Sequence, residues 1–185
     1  MKIEILSGSP RTSSLTHRVA VSLQQMLQQR TEHEIGLIDL KQHILPPMEA
    51  VFASPDETPA KYRPLADRIF GASAFILVTP EYNGSYSPAL KNLLDHFPKQ
   101  QHKVFGIVTA SPGALGGMRA ALQLQQLVFA LFGIGSPHML IIPFVDKKFD
   151  KNGALCDASF QKSIDLFLEE FLWLAEKIAD EKVPA

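Results

Sequence analysis

A change of period, repeated from one end of the sequence to the other, constrains this chain more than any other feature. Apolar runs of strand length alternate with stretches whose apolar residues recur every three or four positions. Ile3, Ile5 and Leu6 open the chain as a short β run that stops at Ser7-Gly8-Ser9-Pro10. From Leu15 the period switches, and Leu15, Val19, Leu23 and Leu27 lay an apolar stripe along a helix. A second strand is predicted over Glu34 to Leu40 and a second helix over Tyr62 to Gly71. Between them, Gln42 to Pro59 holds Pro46, Pro47, Pro55 and Pro59 and reads as an irregular connection. Ala74 to Thr79 is the clearest buried strand. A helix starting near Ser87-Pro88 follows and carries Leu90, Leu93, Leu94 and Phe97. A strand over Lys103 to Ala110, a helix over Leu115 to Phe132 and a strand over Met139 to Ile142 come next. Phe160, Ile164, Phe167, Phe171, Leu174 and Ile178 mark a closing helix.

Continuous apolar strands joined by helical crossovers imply a parallel sheet covered on both faces. Right-handed crossovers leave few topologies. The expected one is a five-stranded parallel sheet of order 2-1-3-4-5 with helices on both faces, a flavodoxin-like three-layer sandwich over residues 1–185. No repeat, low-complexity tract or linker divides it. With 46% apolar and 20% charged residues the chain can fill such a core. A net charge of −1 with no long run of one sign argues against nucleic acid or an anionic membrane as a partner. Leu127 to Phe144, the most apolar stretch, is broken by Gly133, Gly135, Ser136, Pro137 and Pro143 and does not read as a membrane span. The opening segment turns polar by residue 7 and lacks the apolar region of a signal peptide, so a cytoplasmic protein is expected. Cys156 is the only cysteine, which excludes an intrachain disulfide and a thiolate-rich zinc site.

In a sheet of this order, ligands bind beyond the C-terminal strand ends at the switch in strand order. The loops after strands 1, 3 and 4 converge there, and all three are unusual. The first, Ser7 to Thr16, has five hydroxyl residues besides Ser7, one arginine and no acid, directly before a helix. Free amides and the macrodipole at a helix N-terminus favour an anion, and Arg11 adds a charged fork. One N-cap at Ser13 or Ser14 would need one hydroxyl, not five plus an arginine. The loop has the parts of a phosphate cradle. The second loop, Thr79 to Pro88, carries Tyr82, Asn83, Gly84 and Tyr86 and can offer backbone groups to a flat heterocycle; a tight turn with exposed tyrosines explains it as well. The third, Thr109 to Met118, has three glycines within five residues, which let a backbone approach a ligand or simply flex. Neither the dinucleotide fingerprint nor the P-loop is present. The cradle therefore suits a mononucleotide or a simple phosphate ester.

On these residues the chain resembles the NADPH-dependent FMN reductase family, a flavodoxin-like group that includes quinone, azo-dye and chromate reductases. The matching pieces are GSPRTSS from Gly8, TPEYNGSYSPALKNLLD from Thr79, and Ser111 to Gly117 with its double glycine. The resemblance implies bound FMN, its phosphate held by Ser9, Arg11, Ser14 and Thr16, with Ser13 beside them. It implies an isoalloxazine ring lying along Pro80, Glu81, Tyr82, Asn83 and Gly84, with Ser111, Gly116 and Gly117 closing the other side. Pro112 departs from the pattern and removes an N–H donor. The implied activity is hydride transfer from NADPH or NADH through FMN to a small acceptor: a quinone, an azo compound, a metal oxyanion or free flavin. The implied assembly is a homodimer or homotetramer with Leu90, Asn92, Leu93 and Tyr86 near the contact.

Flavin chemistry needs no catalytic acid–base pair from the protein, and none is evident. Glu81 is expected to matter through its backbone, with its side chain in a structural bond. No two of His17, His33, His43, His96, His102 and His138 have metal-ligand spacing on one helix face, so no metal site is expected. Cys156 follows Lys151-Asn152-Gly153 in a surface turn with no neighbouring base, and Trp173 reads as core or interface. Two other classes compete. An FMN-binding electron carrier without nicotinamide turnover is usually strongly acidic, which this chain is not. A flavin-free regulatory protein could also keep the fold.

Overall fold

The structure, a computed structural model, describes residues 1–180. Strand β1 (Lys2–Ser7) pairs in parallel with β2 (Glu34–Asp39) on one side and β3 (Ala74–Pro80) on the other. Strand β3 pairs with β4 (Val104–Ala110), whose outer edge carries two short parallel strands, β5 (Ile134–Gly135) and β6 (Leu140–Ile142). The order β2-β1-β3-β4-β5 is the expected one. The helices are α1 (Leu15–Arg30), α2 (Arg63–Gly71), α3 (Pro88–Asp95), α4 (Met118–Ala130), α5 (Val145–Lys148) and α6 (Gln161–Asp180).

Period-2 alternation divides the strand residues between two cores. Ile3, Ile5, Ile76, Val78, Val104 and Val108 face α1 and α6, where they meet Val19, Leu23, Leu27, Ile164, Phe167 and Phe171. Leu6, Phe75, Leu77, Phe105 and Ile107 face α2, α3 and α4, where they meet Leu65, Ile69, Leu90, Leu94, Leu124 and Val128. Gly106 has no side chain for a packing reason: a Cβ there would lie 2.9 Å from the Phe167 ring. Among the described residues no helix is long and apolar enough to cross a membrane.

Four departures from the expected elements are local. The predicted fifth strand is β6, and the two-residue β5 ahead of it was not expected; the two are separate because Ser136 gives its amide to Phe105 O at 2.8 Å and Pro137, which follows, has none to give. Helix α4 starts at Met118 rather than Leu115, because Gly116 and Gly117 are both left-handed, at φ +60° and +89°. Helix α3 ends at Asp95, so Phe97 packs into the core from beyond the helix. Helix α5 had no signal in the periodicity, being only four residues long.

One buried charge lies inside this framework. Glu4 is 0% exposed in the middle of β1, on the α2 face. Arg68 of α2 grips its carboxylate with both arms, Nε to Oε1 at 3.0 Å and Nη2 to Oε2 at 2.5 Å. Gly36 lies opposite Glu4 in the β1–β2 register, and a Cβ at that position would fall 2.1 Å from Oε2. Room for the carboxylate thus comes from a missing side chain and its compensation from the next layer. Replacing Arg68 with Ala leaves the buried carboxylate with only the Lys2 ammonium, 3.9 Å from Oε1, and should cost about 3 kcal/mol of stability in urea unfolding.

Candidate functional site

Strands β1, β3 and β4 are parallel and in register, so Ser7, Pro80 and Ala110 end on the same edge of the sheet. The loops that leave them wall a cleft of about 590 Å3, within the ordinary range for a small-molecule site. Ser9, Arg11, Ser13, Ser14, Leu15 and Thr16 line one end; Pro80, Glu81, Tyr82, Asn83 and Pro88 line another wall; Ala110, Ser111, Pro112 and Val145 close it.

The first loop is held by its backbone. Gly8 N–H donates to Val78 O at 2.8 Å, and a Cβ on Gly8 would lie 2.9 Å from that oxygen. Ser14 is the N-cap of α1 and accepts the His17 amide at 3.1 Å. The amides of Leu15 and Thr16, at the start of the helix, have no intrahelical acceptor. They open at the cleft among four hydroxyls and the Arg11 guanidinium. Ser9 and Thr16 are nearly buried, while Arg11 and Ser13 are exposed. The Arg11 guanidinium carbon lies over the Tyr82 ring, 4.7 Å from its centre. The side chain thus bridges the first loop and the second.

Asn83 and Gly84 both have positive φ, at +51° and +81°. Tyr82 and Ser85 exchange amide–carbonyl bonds of 2.8 and 3.1 Å around them. This is the two-residue turn that an Asn-Gly pair favours. The Tyr82 hydroxyl is buried with no hydrogen-bond partner. Glu81 accepts the Arg119 amide at 3.2 Å in the first turn of α4 and lies 3.5 Å from the Arg119 guanidinium. Its carboxylate is thereby engaged away from the first loop, the structural bond expected for it. Ser85 hydroxyl donates to the Gln123 side chain and adds a second tie to α4. Burial holds the Tyr86 hydroxyl above the usual phenol range, so it stays protonated at neutral pH.

The third loop spends its amides internally. Ser111 N–H donates to Ile142 O at 3.1 Å, Gly113 N–H to Ser111 Oγ at 3.0 Å and Gly116 N–H to Gly113 O at 3.2 Å. Gly84, Gly116 and Gly117 do not line the cleft. A Cβ on Gly116 would lie 2.7 Å from Pro143 N, and one on Gly117 would lie 2.9 Å from Thr109 Cβ. These two glycines seat the loop against β6 and β4. The other ten predicted residues do come together at the cleft. Leu15, Pro88, Ala110, Pro112 and Val145 line it too. Leu15, Ala110 and Pro112 flank predicted residues and could have been included by adjacency, whereas Pro88 is four residues beyond Gly84. Val145 sits on α5, whose presence the periodicity did not signal. Among the described residues, no cluster of histidine, cysteine or acidic side chains could hold a metal ion.

Comparison with known proteins identifies a family and a shared fold. The NADPH-dependent FMN reductase family matches residues 1–146. An FMN-dependent NADPH-azoreductase of Staphylococcus aureus is 28% identical, over 93% of this chain and 94% of its own. Among solved structures, a flavoenzyme NAD(P)H:(acceptor) oxidoreductase from Paracoccus denitrificans superposes with a TM-score of 0.79 at 24% identity, covering 95% of this chain and 97% of its own. A flavodoxin from Pseudomonas aeruginosa superposes with a TM-score of 0.54 at 21% identity, covering 97% of each chain.

One buried side chain adds a further tie between the first two loops. Ser87, fully buried, donates its hydroxyl to Gly8 O, accepts the Leu90 amide at 3.1 Å and gives its own amide to Thr79 Oγ1 at 3.0 Å. Ser87→Ala strands both a carbonyl and a helix-capped amide. It should lower stability by roughly 2–3 kcal/mol, checked by urea unfolding.

Proposed function

This chain belongs to the NADPH-dependent FMN reductase family, and we propose that its cleft holds FMN and that it is an FMN-dependent NAD(P)H oxidoreductase acting on a small acceptor. The residues present fit the cofactor. An acid-free end with four hydroxyls, one guanidinium and two free helix amides suits a phosphate dianion. Pro80, Ala110 and Pro112 add apolar wall, and Tyr82 joins them with the Arg11 guanidinium over its ring. The acid-free gathering of hydroxyls, guanidinium and helix amides at one end is the observation that carries the reading, because unneutralised donors at a helix N-terminus favour an anion.

Bound there, the flavin supplies the redox chemistry, accepting hydride from a nicotinamide and passing electrons to an acceptor. The protein's part is to bind and to position. Ser9, Ser13, Ser14, Thr16 and Arg11 would hold the phosphate. Pro80, Tyr82 and Asn83 would set the ring wall, and Ser111 and Pro112 would close the other side. Glu81, Gly84, Gly116 and Gly117 serve by shaping loops. Glu81 is tied to the first turn of α4. A cytoplasmic location fits a chain with a single thiol.

Self-association belongs to the same reading, but through a surface other than the one the resemblance implied. Leu90 and Leu93 are buried in the chain's own core, and Asn92 donates its side-chain amide to Leu45 O and Pro46 O at 3.3 and 2.8 Å. Helix α4 and the loop before it instead expose Leu115, Met118, Leu122 and Phe129, the last by 73%. The spacing of Met118, Leu122 and Phe129 puts them on one face of α4, and a homodimer covering that face would remove the stripe from water.

Adding NADPH without air to FMN-loaded protein should bleach the flavin absorbance rapidly. A persistent yellow colour would favour an electron carrier. Arg11→Ala should weaken FMN binding by about 1.5–3 kcal/mol, roughly 10- to 150-fold in a fluorescence titration. In sedimentation experiments the native chain should run as an oligomer, and the double variant Leu122→Glu, Phe129→Glu as a monomer.

A further inference from the structure

Ser7 and His17 bracket the first loop of the cleft. Ser7 ends β1 and His17 lies in the first turn of α1. Residues 8–16, which carry every donor of the anion-binding end, lie between them. The two side chains meet: Ser7 Oγ and His17 Nδ1 share a hydrogen bond of 2.9 Å. Ser7 is fully buried and pairs in register with Asp39, the last residue of β2. Asp39 Oδ1 stands 3.9 Å from the same ring nitrogen. The His17 ring thus reaches from α1 across the ends of two strands.

A serine, a histidine and an aspartate side by side suggest a nucleophile, but the geometry argues for another use. Ser7 has no exposed surface, and none of the three lines the cleft, so the set presents no hydroxyl to a substrate there. What the loop needs is a tie. Gly8 is fixed by Val78 O and by the Ser87 hydroxyl. Beyond it Pro10, Arg11, Thr12 and Ser13 are exposed, and the Arg11 amide makes a long contact of 3.4 Å with Ser9 Oγ. At the far end the His17 amide binds Ser14 Oγ, so one residue holds the N-cap with its backbone and the strand with its ring. Anchoring that ring fixes the rotation of the first turn of α1, and the rotation aims the Leu15 and Thr16 amides.

We propose that the Ser7–His17 pair is a clasp at the neck of this loop, and that His17 is a positioning residue for the phosphate of the flavin without touching it. The identity of that anion rests on the proposed function. A loop closed at its neck beforehand loses less freedom when a ligand orders it, so the clasp raises affinity for the phosphate. It leaves the ring walls alone, because the second and third loops make them.

Fluorescence titrations with FMN and with riboflavin, which has the same ring and no phosphate, separate the two ends of the ligand. His17→Ala should weaken FMN binding about three- to tenfold, the scale of one neutral hydrogen bond, and leave riboflavin binding unchanged. His17→Asn, which puts a hydrogen-bonding group near the position of Nδ1, should recover most of the loss. The double variant Ser7→Ala, His17→Ala should bind FMN no more weakly than His17→Ala, because both changes remove one contact. In the ligand-free protein, trypsin should cut after Arg11 faster in His17→Ala than in the native chain, with cutting after Lys151, in an exposed turn, unchanged. Unchanged FMN affinity in His17→Ala would overturn the clasp. So would equal losses for both flavins, or additive losses in the double variant. A native chain that binds neither flavin would reject the proposed function instead. The clasp would then be decided by trypsin alone: faster cutting after Arg11 in His17→Ala keeps it, and an equal rate removes it.

Discussion

The parallel register of β1, β3 and β4 is the constraint from which the rest of the structure follows. Ile3 pairs with Ala74 and Ala74 with Val104, so the three strands rise together and deliver their following loops to one edge. Gly8 continues the pairing one residue past β1 by bonding to Val78 O, and Ser87 then locks the start of α3 onto Gly8. The cleft is thus an extension of the sheet's own hydrogen-bonding pattern. Its walls are fixed before any ligand arrives, which lowers the ordering cost of binding.

Electrostatics within this frame is arranged by exclusion. The first loop has no acid, and the acid of the second loop is spent on the α4 N-terminus, where the macrodipole favours it. The anion-binding end is left with donors only. A buried acid is tolerated elsewhere, at Glu4, because Arg68 covers it and Gly36 gives it space. Both carboxylates are paired, but one supports the sheet and the other shapes a loop at the site.

The outer edge of β4 and the connection over residues 42–59 belong to the periphery of the frame, and individuality enters there. Pro137 splits the edge strand, and α5 brings Val145 under the cleft. The proline-rich connection wraps α3 and creates a groove beside Pro88. Neither feature alters the strand order, so the cleft and its surroundings can vary independently on one scaffold.

Much of this was legible from residue order alone, because it depends on local periodicity and on chain punctuation. The strands, the stripe of α1 and the clustering of Ser9, Arg11, Ser14, Tyr82 and Asn83 follow from apolar spacing, from helix-start chemistry and from the rule for strand ends. The glycines show where that logic stops. A glycine that admits a ligand and one that admits a neighbouring backbone look the same in a sequence. Only the packing of Gly116 against Pro143 and of Gly117 against Thr109 makes them framework. Likewise, Leu90 and Leu93 could have served a partner or the core, and Glu4 could have faced water. Contacts between residues far apart in the chain decided these matters, because burial is a property of what packs above a residue and not of the residues beside it.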